Sequence, residues 1–225
     1  MAEFTVHQLE GMRYVDCLLN DETVRAEAGA LAYMKGQVEM RSPFFVSPLG
    51  AMRAMIAEEA VVRPSYTGTG VVTLASSLGG FHVIELQDET WILERGSYWA
   101  SEGKVKISYH RVGLLTSVWA GEGLVYLQTK VSGTGKVVMT TRGPIERVRL
   151  EDGQRLSSSS LSVVAWSSSV KFTMRRAAKN FLGRFTSGQR LVRTHEGPGE
   201  VLLNPSPYWR YRMLMQREQD PLRLE

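Results

Sequence analysis

VSGTGKVVMTT, Val131 to Thr141, decides the fold because it occurs three times. An earlier copy reads SYTGTGVVTLA, Ser65 to Ala75, and a later one THEGPGEVLLN, Thr194 to Asn204. Gly68, Gly133 and Gly197 stand 65 and 64 residues apart. Each copy reads as a strand entering a G-x-G turn and a second strand leaving it. Glycine reaches φ > 0 without a Cβ penalty, and a tight β connection needs that. Gly68, Gly70, Gly133, Gly135, Gly197 and Gly199 are therefore assigned to structural turns.

A second element recurs in the same order. GALAYMKGQVEM (Gly29 to Met40) aligns with GSYWASEGKVKI (Gly96 to Ile107), and then with LSVVAWSSSVKF (Leu161 to Phe172). Gly29 falls on Gly96, Gly36 on Gly103 and Val38 on Val105, while Val170-Lys171-Phe172 matches Val105-Lys106-Ile107. Around these, Met12 to Leu19, Phe81 to Glu89 and Ile145 to Gly153 read as strands. The last two alternate apolar and polar residues, the period of a half-buried strand. Asn20-Asp21, Gln87-Asp88-Glu89 and Glu151-Asp152-Gly153 read as turns. The expectation is one all-β domain over residues 1–205, made of three repeats at about 12–89, 90–153 and 154–205. Residues 206–225 form a tail that reads as a last helix.

Three connectors interrupt the β pattern at the same place in each repeat: Pro48 to Val62, Arg111 to Gly123 and Arg175 to Gly188. Met52, Met55 and Ile56 share one helical face, as do Phe181, Leu182 and Phe185. Short helical connectors are expected, the middle one only loosely helical. Pseudo-symmetry would gather them at one end of a barrel. Their apolar residues, Met52, Met55, Ile56, Leu114, Leu115, Val118, Trp119, Phe181, Leu182 and Phe185, then make a candidate interface. It would plug the barrel end, seal an oligomer, or meet a membrane surface or protein partner.

The bulk numbers exclude more than they select. With 225 residues, 43% hydrophobic and 22% charged, the chain is of ordinary globular composition and long enough to bury a sizeable core. One cysteine, Cys17, rules out an internal disulfide and a Cys-based zinc cluster. The opening MAEFTVHQLEG has neither an apolar h-region nor an Arg-rich, acid-poor character, and no stretch approaches the roughly 20 apolar residues of a membrane span. A cytoplasmic location is expected. The net charge of +4 permits anionic partners without demanding them.

The chemistry-bearing motifs are weak. SGTGK (Ser132 to Lys136) fails the phosphate-loop pattern at both ends, with Lys130 and Val137 where Gly and Ser or Thr are required. The other two copies carry Val71 and Glu200 in place of Lys136. His7, His82, His110 and His195 show no paired-ligand spacing. No nucleophile elbow is present, and Ser157 to Ser160 and Ser167 to Ser169 read as polar surface. The expectation is therefore no catalytic site, no cofactor and no metal. A basic run stands out more: Lys171, Arg175, Arg176, Lys179, Arg184, Arg190 and Arg193, with no acid before Glu196. Interleaved with Phe181 and Phe185, it is a candidate surface for nucleic acid or anionic headgroups, or else a solvated face or subunit contact.

The ordered motifs also resemble one family. TVRAEAGALAYMKGQVEM (Thr23 to Met40) is similar to its A-E-P-G-A-M-x-Y-M-x-G-x-V-x-M opening, with Ala28 in place of the proline. WILERGSYWASEG (Trp91 to Gly103), GEGLVYLQTKVSGTGKVVMTTRG (Gly121 to Gly143) and EGPGEVLLNPS (Glu196 to Ser206) fit its later motifs. This is the uncharacterised family named for altered inheritance of mitochondria, protein twenty-four. The resemblance implies a fold like the trp RNA-binding attenuation protein: a double-stranded β-helix or β-sandwich with internal pseudo-threefold symmetry. It carries no catalytic motif.

Three functions remain in view. The favoured one is a non-enzymatic structural or interaction protein that self-associates, with association with membrane complexes as an open option. The second is a nucleic-acid-binding module using residues 171–193, and the third a small-molecule-binding β-barrel.

Overall fold

A computed structural model describes residues 1–42, 63–77, 79–112, 126–159, 162–176 and 191–205. The described chain is all-β and contains no helix. Arg111-Val112 and Arg175-Arg176, which open two of the expected helical connectors, are strand, ending β7 and β12; the rest of the connectors and the tail at 206–225 lie outside the described residues.

In chain order the strands are β1 (Glu3–Leu9), β2 (Met12–Ala26), β3 (Leu31–Arg41), β4 (Ser65–Leu74), β5 (Gly80–Leu93), β6 (Tyr98–Glu102) and β7 (Lys106–Val112). They continue with β8 (Tyr126–Thr141), β9 (Glu146–Leu150), β10 (Arg155–Ser158), β11 (Val163–Ser167), β12 (Lys171–Arg176), β13 (Leu191–Glu196) and β14 (Gly199–Leu203). One antiparallel sheet runs β3-β4-β2-β6-β8-β5-β11-β14-β9, with β1 added on β2 and β7 on β8. A smaller sheet runs β10-β13-β12. Strand β1, which pairs with β2 through the Glu10-Gly11 turn, is an addition to the expected strand set.

Two of the three G-x-G copies are not turns between strands, while the third bends the chain between β13 and β14. Gly68 and Gly70 lie inside β4, Gly133 and Gly135 inside β8, and Gly199 opens β14, with only Gly197 at a bend. Likewise Asn20-Asp21 and Gln87-Asp88 do not reverse the chain. They are bulges in the continuous strands β2 and β5. Leu19 pairs with Gly70 and the next register pair is Glu22 with Gly68. In the second repeat Leu86 pairs with Gly135 and then Glu89 with Gly133. Asp21 and Asp88 sit at φ 56° and 58°. Their amides donate to Thr69 Oγ1 (3.1 Å) and Thr134 Oγ1 (3.2 Å), the middle residues of the two G-x-G triplets. Positive φ is thus used to bend a long strand against a bulged partner, which glycine serves as readily as a reversal. In the third repeat Pro198 offers no hydroxyl. There the Glu151–Gln154 turn separates β9 from β10, as the sequence suggested, with Leu150 opposite Gly199 and Arg155 opposite Glu196.

The same registers recur elsewhere. Leu31 faces Leu74, Tyr98 faces Met139 and Val163 faces Leu203, each followed by a one-residue irregularity. Glu39 faces Thr67, Lys106 faces Ser132 and Lys171 faces Glu196. Further pairings set β2 on β6 (Val24 opposite Glu102) and β5 on β11 (Trp91 opposite Ser167). The strand pairs β3–β4, β7–β8 and β12–β13 each end at one of the three connectors.

Alternation along the strands builds the core. Val15, Cys17, Leu19, Val24, Tyr66, Val72 and Leu74 form one buried cluster. Ile84, Leu86, Leu93, Tyr98, Val131 and Met139 form a second, and Ile92, Leu150, Trp166 and Val201 a third. Full burial of one such side chain contributes about 1.5–3 kcal/mol, so the paired strand faces are the main source of stability.

Candidate functional site

Two acidic residues stand just past equivalent strands. Glu27 follows β2 and Glu94 follows β5. Each amide crosses to the next repeat, Glu27 to the Trp99 carbonyl and Glu94 to the Val164 carbonyl, both at 2.8 Å. Each carbonyl then closes a tight turn, accepting from Ala30 (3.1 Å) and from Ser97 (3.0 Å). Gly29 (φ 79°) and Gly96 (φ 75°) take the third turn position, which a type II turn reserves for positive φ. Ala28 occupies the second position, where proline is favoured.

The carboxylates these turns present are paired. Glu27 is bonded by the Arg63 guanidinium, which also lies 5.0 Å from the centre of the Tyr98 ring. Glu94 Oε1 accepts from Gln128 Nε2 at 3.0 Å and from Arg193 Nη1. The second network is the drier one, since the Arg193 side chain is 3% exposed and that of Glu94 12%. It ties the end of β5 to β8 and β13. Tyr98 donates its one hydroxyl proton to the Arg25 carbonyl (3.2 Å) and so accepts from Ser101 Oγ (2.9 Å), and burial pushes its phenol pKa upward.

Arg193 is thus a correction to the candidate basic surface. It is buried and ion-paired rather than displayed, because β13 turns it inward opposite Ser158 and Met174. Lys171 is exposed at the start of β12. Arg175 and Arg176 end that strand. Their side chains, with Lys179, Arg184 and Arg190, lie outside the described residues. So does the whole candidate apolar interface: Met52, Met55, Ile56, Leu114, Leu115, Val118, Trp119, Phe181, Leu182 and Phe185.

His195 is also fully buried. Its ring lies 5.1 Å from Trp166 and 5.3 Å from Phe172, with neither nitrogen hydrogen-bonded. Burial first, and the nearby Arg193 charge second, push its pKa down to about 4 from 6.5. Above pH 6.5 the imidazole is neutral in folded and unfolded chains alike. Between pH 6.5 and about 4 only the unfolded chain takes up the proton, so stability falls as pH falls through that window and levels off below it. The full loss is on the order of 3 kcal/mol. Urea titrations at stepped pH should show this slope in the native protein and a shallower one in His195→Leu; equal slopes would assign the pH dependence to other groups.

The SGTGK segment cannot act as a phosphate cradle. The buried Glu102 places Oε2 on the Lys136 amide at 3.1 Å, so a carboxylate already occupies the side an anion would need. Ser167 Oγ accepts from the Glu200 amide in the same way at 2.9 Å. These side chains approach over Gly135 and Gly199, where a Cβ would collide with them. Glu102 Oε1 has no hydrogen-bond partner. The residue lines an open cleft of about 510 Å³ with Glu22, Thr23, Arg25, Gly103 and Lys104.

His7 Nε2 is 3.1 Å from Asp16 Oδ2, whose other oxygen accepts from Thr73 Oγ1 at 2.6 Å. Burial, then Arg147, lower the His82 pKa. Cys17 is buried and its thiol pushed up to about 12, which makes it a poor nucleophile. Among the described residues, no three His, Cys, Asp or Glu side chains gather as a metal site.

The family described as Mitochondrial biogenesis AIM24 matches residues 4–206. The chain belongs to this family. No protein with a curated description matches it in sequence. This AIM24-family chain is also similar to a Streptococcus pyogenes protein known from a crystal structure. The TM-score is 0.73 at 19% identity, covering 97% of this chain and 100% of that one. At that identity the likeness concerns the fold alone. Among the described residues, no helix is long and apolar enough to cross a membrane.

Glu27, Arg63, Glu94 and Gln128 were missed by motif reading. The available signal was the recurrence of Glu-x-Gly at Glu27 and Glu94, the same spacing that relates Gly29 to Gly96.

Proposed function

We propose that this AIM24-family chain is a non-enzymatic structural or interaction protein that works by self-association, in contact with membrane-bound complexes. Its frame in this reading is a pseudo-threefold double-stranded β-helix. The observation that carries the reading is the repeated register. Three strand pairs, β3–β4, β7–β8 and β12–β13, run in matching alignment toward the three apolar connectors. A frame of three equivalently aligned strand pairs, each followed in sequence by an apolar connector, suits a docking role better than a reaction centre. The ion pairs at Glu27 and Glu94 support it by fixing how successive repeats meet. A reducing, cytoplasmic setting accords with the buried, unreactive Cys17.

The test uses the full chain. Sedimentation should give a mass above the monomer, and anionic phosphatidylserine vesicles or a membrane-protein partner should be retained by the protein. Trp119→Asp with Phe185→Asp should abolish that retention. A monomer that binds neither vesicles nor protein overturns the reading.

A nucleic-acid role for residues 171–193 loses Arg193 to the interior and is not favoured. The cleft lined by Glu22, Arg25, Glu102 and Lys104 supports a second reading as a small-molecule binder. Thermal-shift screening with small amines and polyols, repeated on Glu102→Gln, tests it; no ligand-dependent shift removes it.

A further inference from the structure

Strand β3 is an open edge. Among the described residues it pairs only with β4, although it is 11 residues long. Most of its residues are exposed, including Tyr33 at 57%, Met34 at 38% and Met40 at 50%. Such a row of unpaired amides and carbonyls is a template for another strand.

The sequence of β3 indicates which strand. Tyr33-Met34-Lys35-Gly36-Gln37-Val38-Glu39-Met40-Arg41 is a chemical palindrome about Gln37. Laid antiparallel on itself, Lys35 faces Glu39 of the partner subunit and Met34 faces Met40 of the partner subunit. Tyr33 faces Arg41 of the partner subunit, and the small Gly36 faces Val38 of the partner subunit. Every match joins side chains of one sheet face. Met34 and Met40 stand on the core-side face, opposite the buried Val72 and Tyr66, while Lys35 and Glu39 stand on the other. Opposite charges directly across an antiparallel pair stabilise it and like charges oppose it.

We infer that β3 is a homodimerisation edge: two copies pair antiparallel about Gln37, extending one sheet across a twofold axis. The twofold follows from the palindrome, because an isologous contact must present the same patch from both subunits. Burying Met34, Val38 and Met40 at the seam adds apolar area to the backbone hydrogen bonds. A strand-edge contact of this length lies at the small end of stable interfaces, so a micromolar dimer is expected. This inference names the surface for the self-association proposed above and rests on that reading.

The charge pair gives the test. In the full chain Lys35→Glu sets two like-charge pairs across the seam, and Glu39→Lys does the same. Each single variant should weaken dimerisation about ten- to a hundredfold by sedimentation velocity. The double variant Lys35→Glu with Glu39→Lys restores opposite charges at both places and should restore the dimer. Both residues are exposed on the edge, so circular dichroism of each variant should match the native chain. If the native protein dimerises but all three variants do so equally, the β3 edge is not the interface and self-association stands by another surface. A native chain that stays monomeric at high micromolar concentration overturns both.

Discussion

Replacing Arg193 with methionine is expected to lower the unfolding free energy by about 3–5 kcal/mol. The guanidinium is almost wholly enclosed and bonded to Glu94. Its loss leaves a carboxylate in a dry position, and the neutral Gln128 amide does not replace a cation. The double variant Glu94→Gln with Arg193→Met removes both charges together. It should recover most of the loss, because a buried pair exchanged for neutral groups of similar volume is often close to neutral. Arg63→Met is the internal comparison. Its partner Glu27 is 31% exposed, so water can solvate the carboxylate left behind and the cost should be smaller. Urea unfolding followed by tryptophan emission gives all three numbers. Equal losses for Arg193→Met and Arg63→Met would mean that burial does not set the energy of these junctions.

The basic-surface assignment of Arg193 shows where sequence reading stops. The run from Lys171 to Arg193 was counted along the chain, where only nearness in sequence is visible. Its partner Glu94 is 99 residues away. A strand alternates inward and outward positions, so one basic residue in a run can face the core while others face water, and only the pairing of β13 with β10 and β12 decides which. The all-β class was legible because alternation in Phe81 to Glu89 and Ile145 to Gly153 needs no knowledge of partners. The matching strand alignments were legible as spacings between glycines. The meaning of those glycines was not. Positive φ serves a reversal or a bulge equally well, and the difference lies in Asp21, which is 48 residues from the Thr69 hydroxyl that holds it. His195 was legible as a histidine but not as a buried one, for the same reason.

Gly68→Ala and Gly133→Ala test the corrected role of the motif, and they should not behave alike. Both glycines sit at positive φ, 136° and 103°, so alanine at either site carries backbone strain of about 1–3 kcal/mol. Around Gly133 a Cβ would meet nothing within 4 Å, and strain is the whole cost. At Gly68 the Cβ would be driven into the Gln37 carbonyl oxygen and against Val38 Cα, which are backbone atoms of β3 that no rotamer change can move aside. The β3–β4 ladder must part there, losing hydrogen bonds on both sides of the Gly68–Val38 register pair. Gly68→Ala is therefore expected to cost at least about 2 kcal/mol more than Gly133→Ala. It should also weaken dimerisation, since Gln37 is the centre of the palindrome. Were the motif a simple reversal, both substitutions would be limited by φ alone and equal losses would be measured. A larger loss at Gly68, with β3 amides exchanging faster than β8 amides, would locate the demand for glycine in the close approach of two strands.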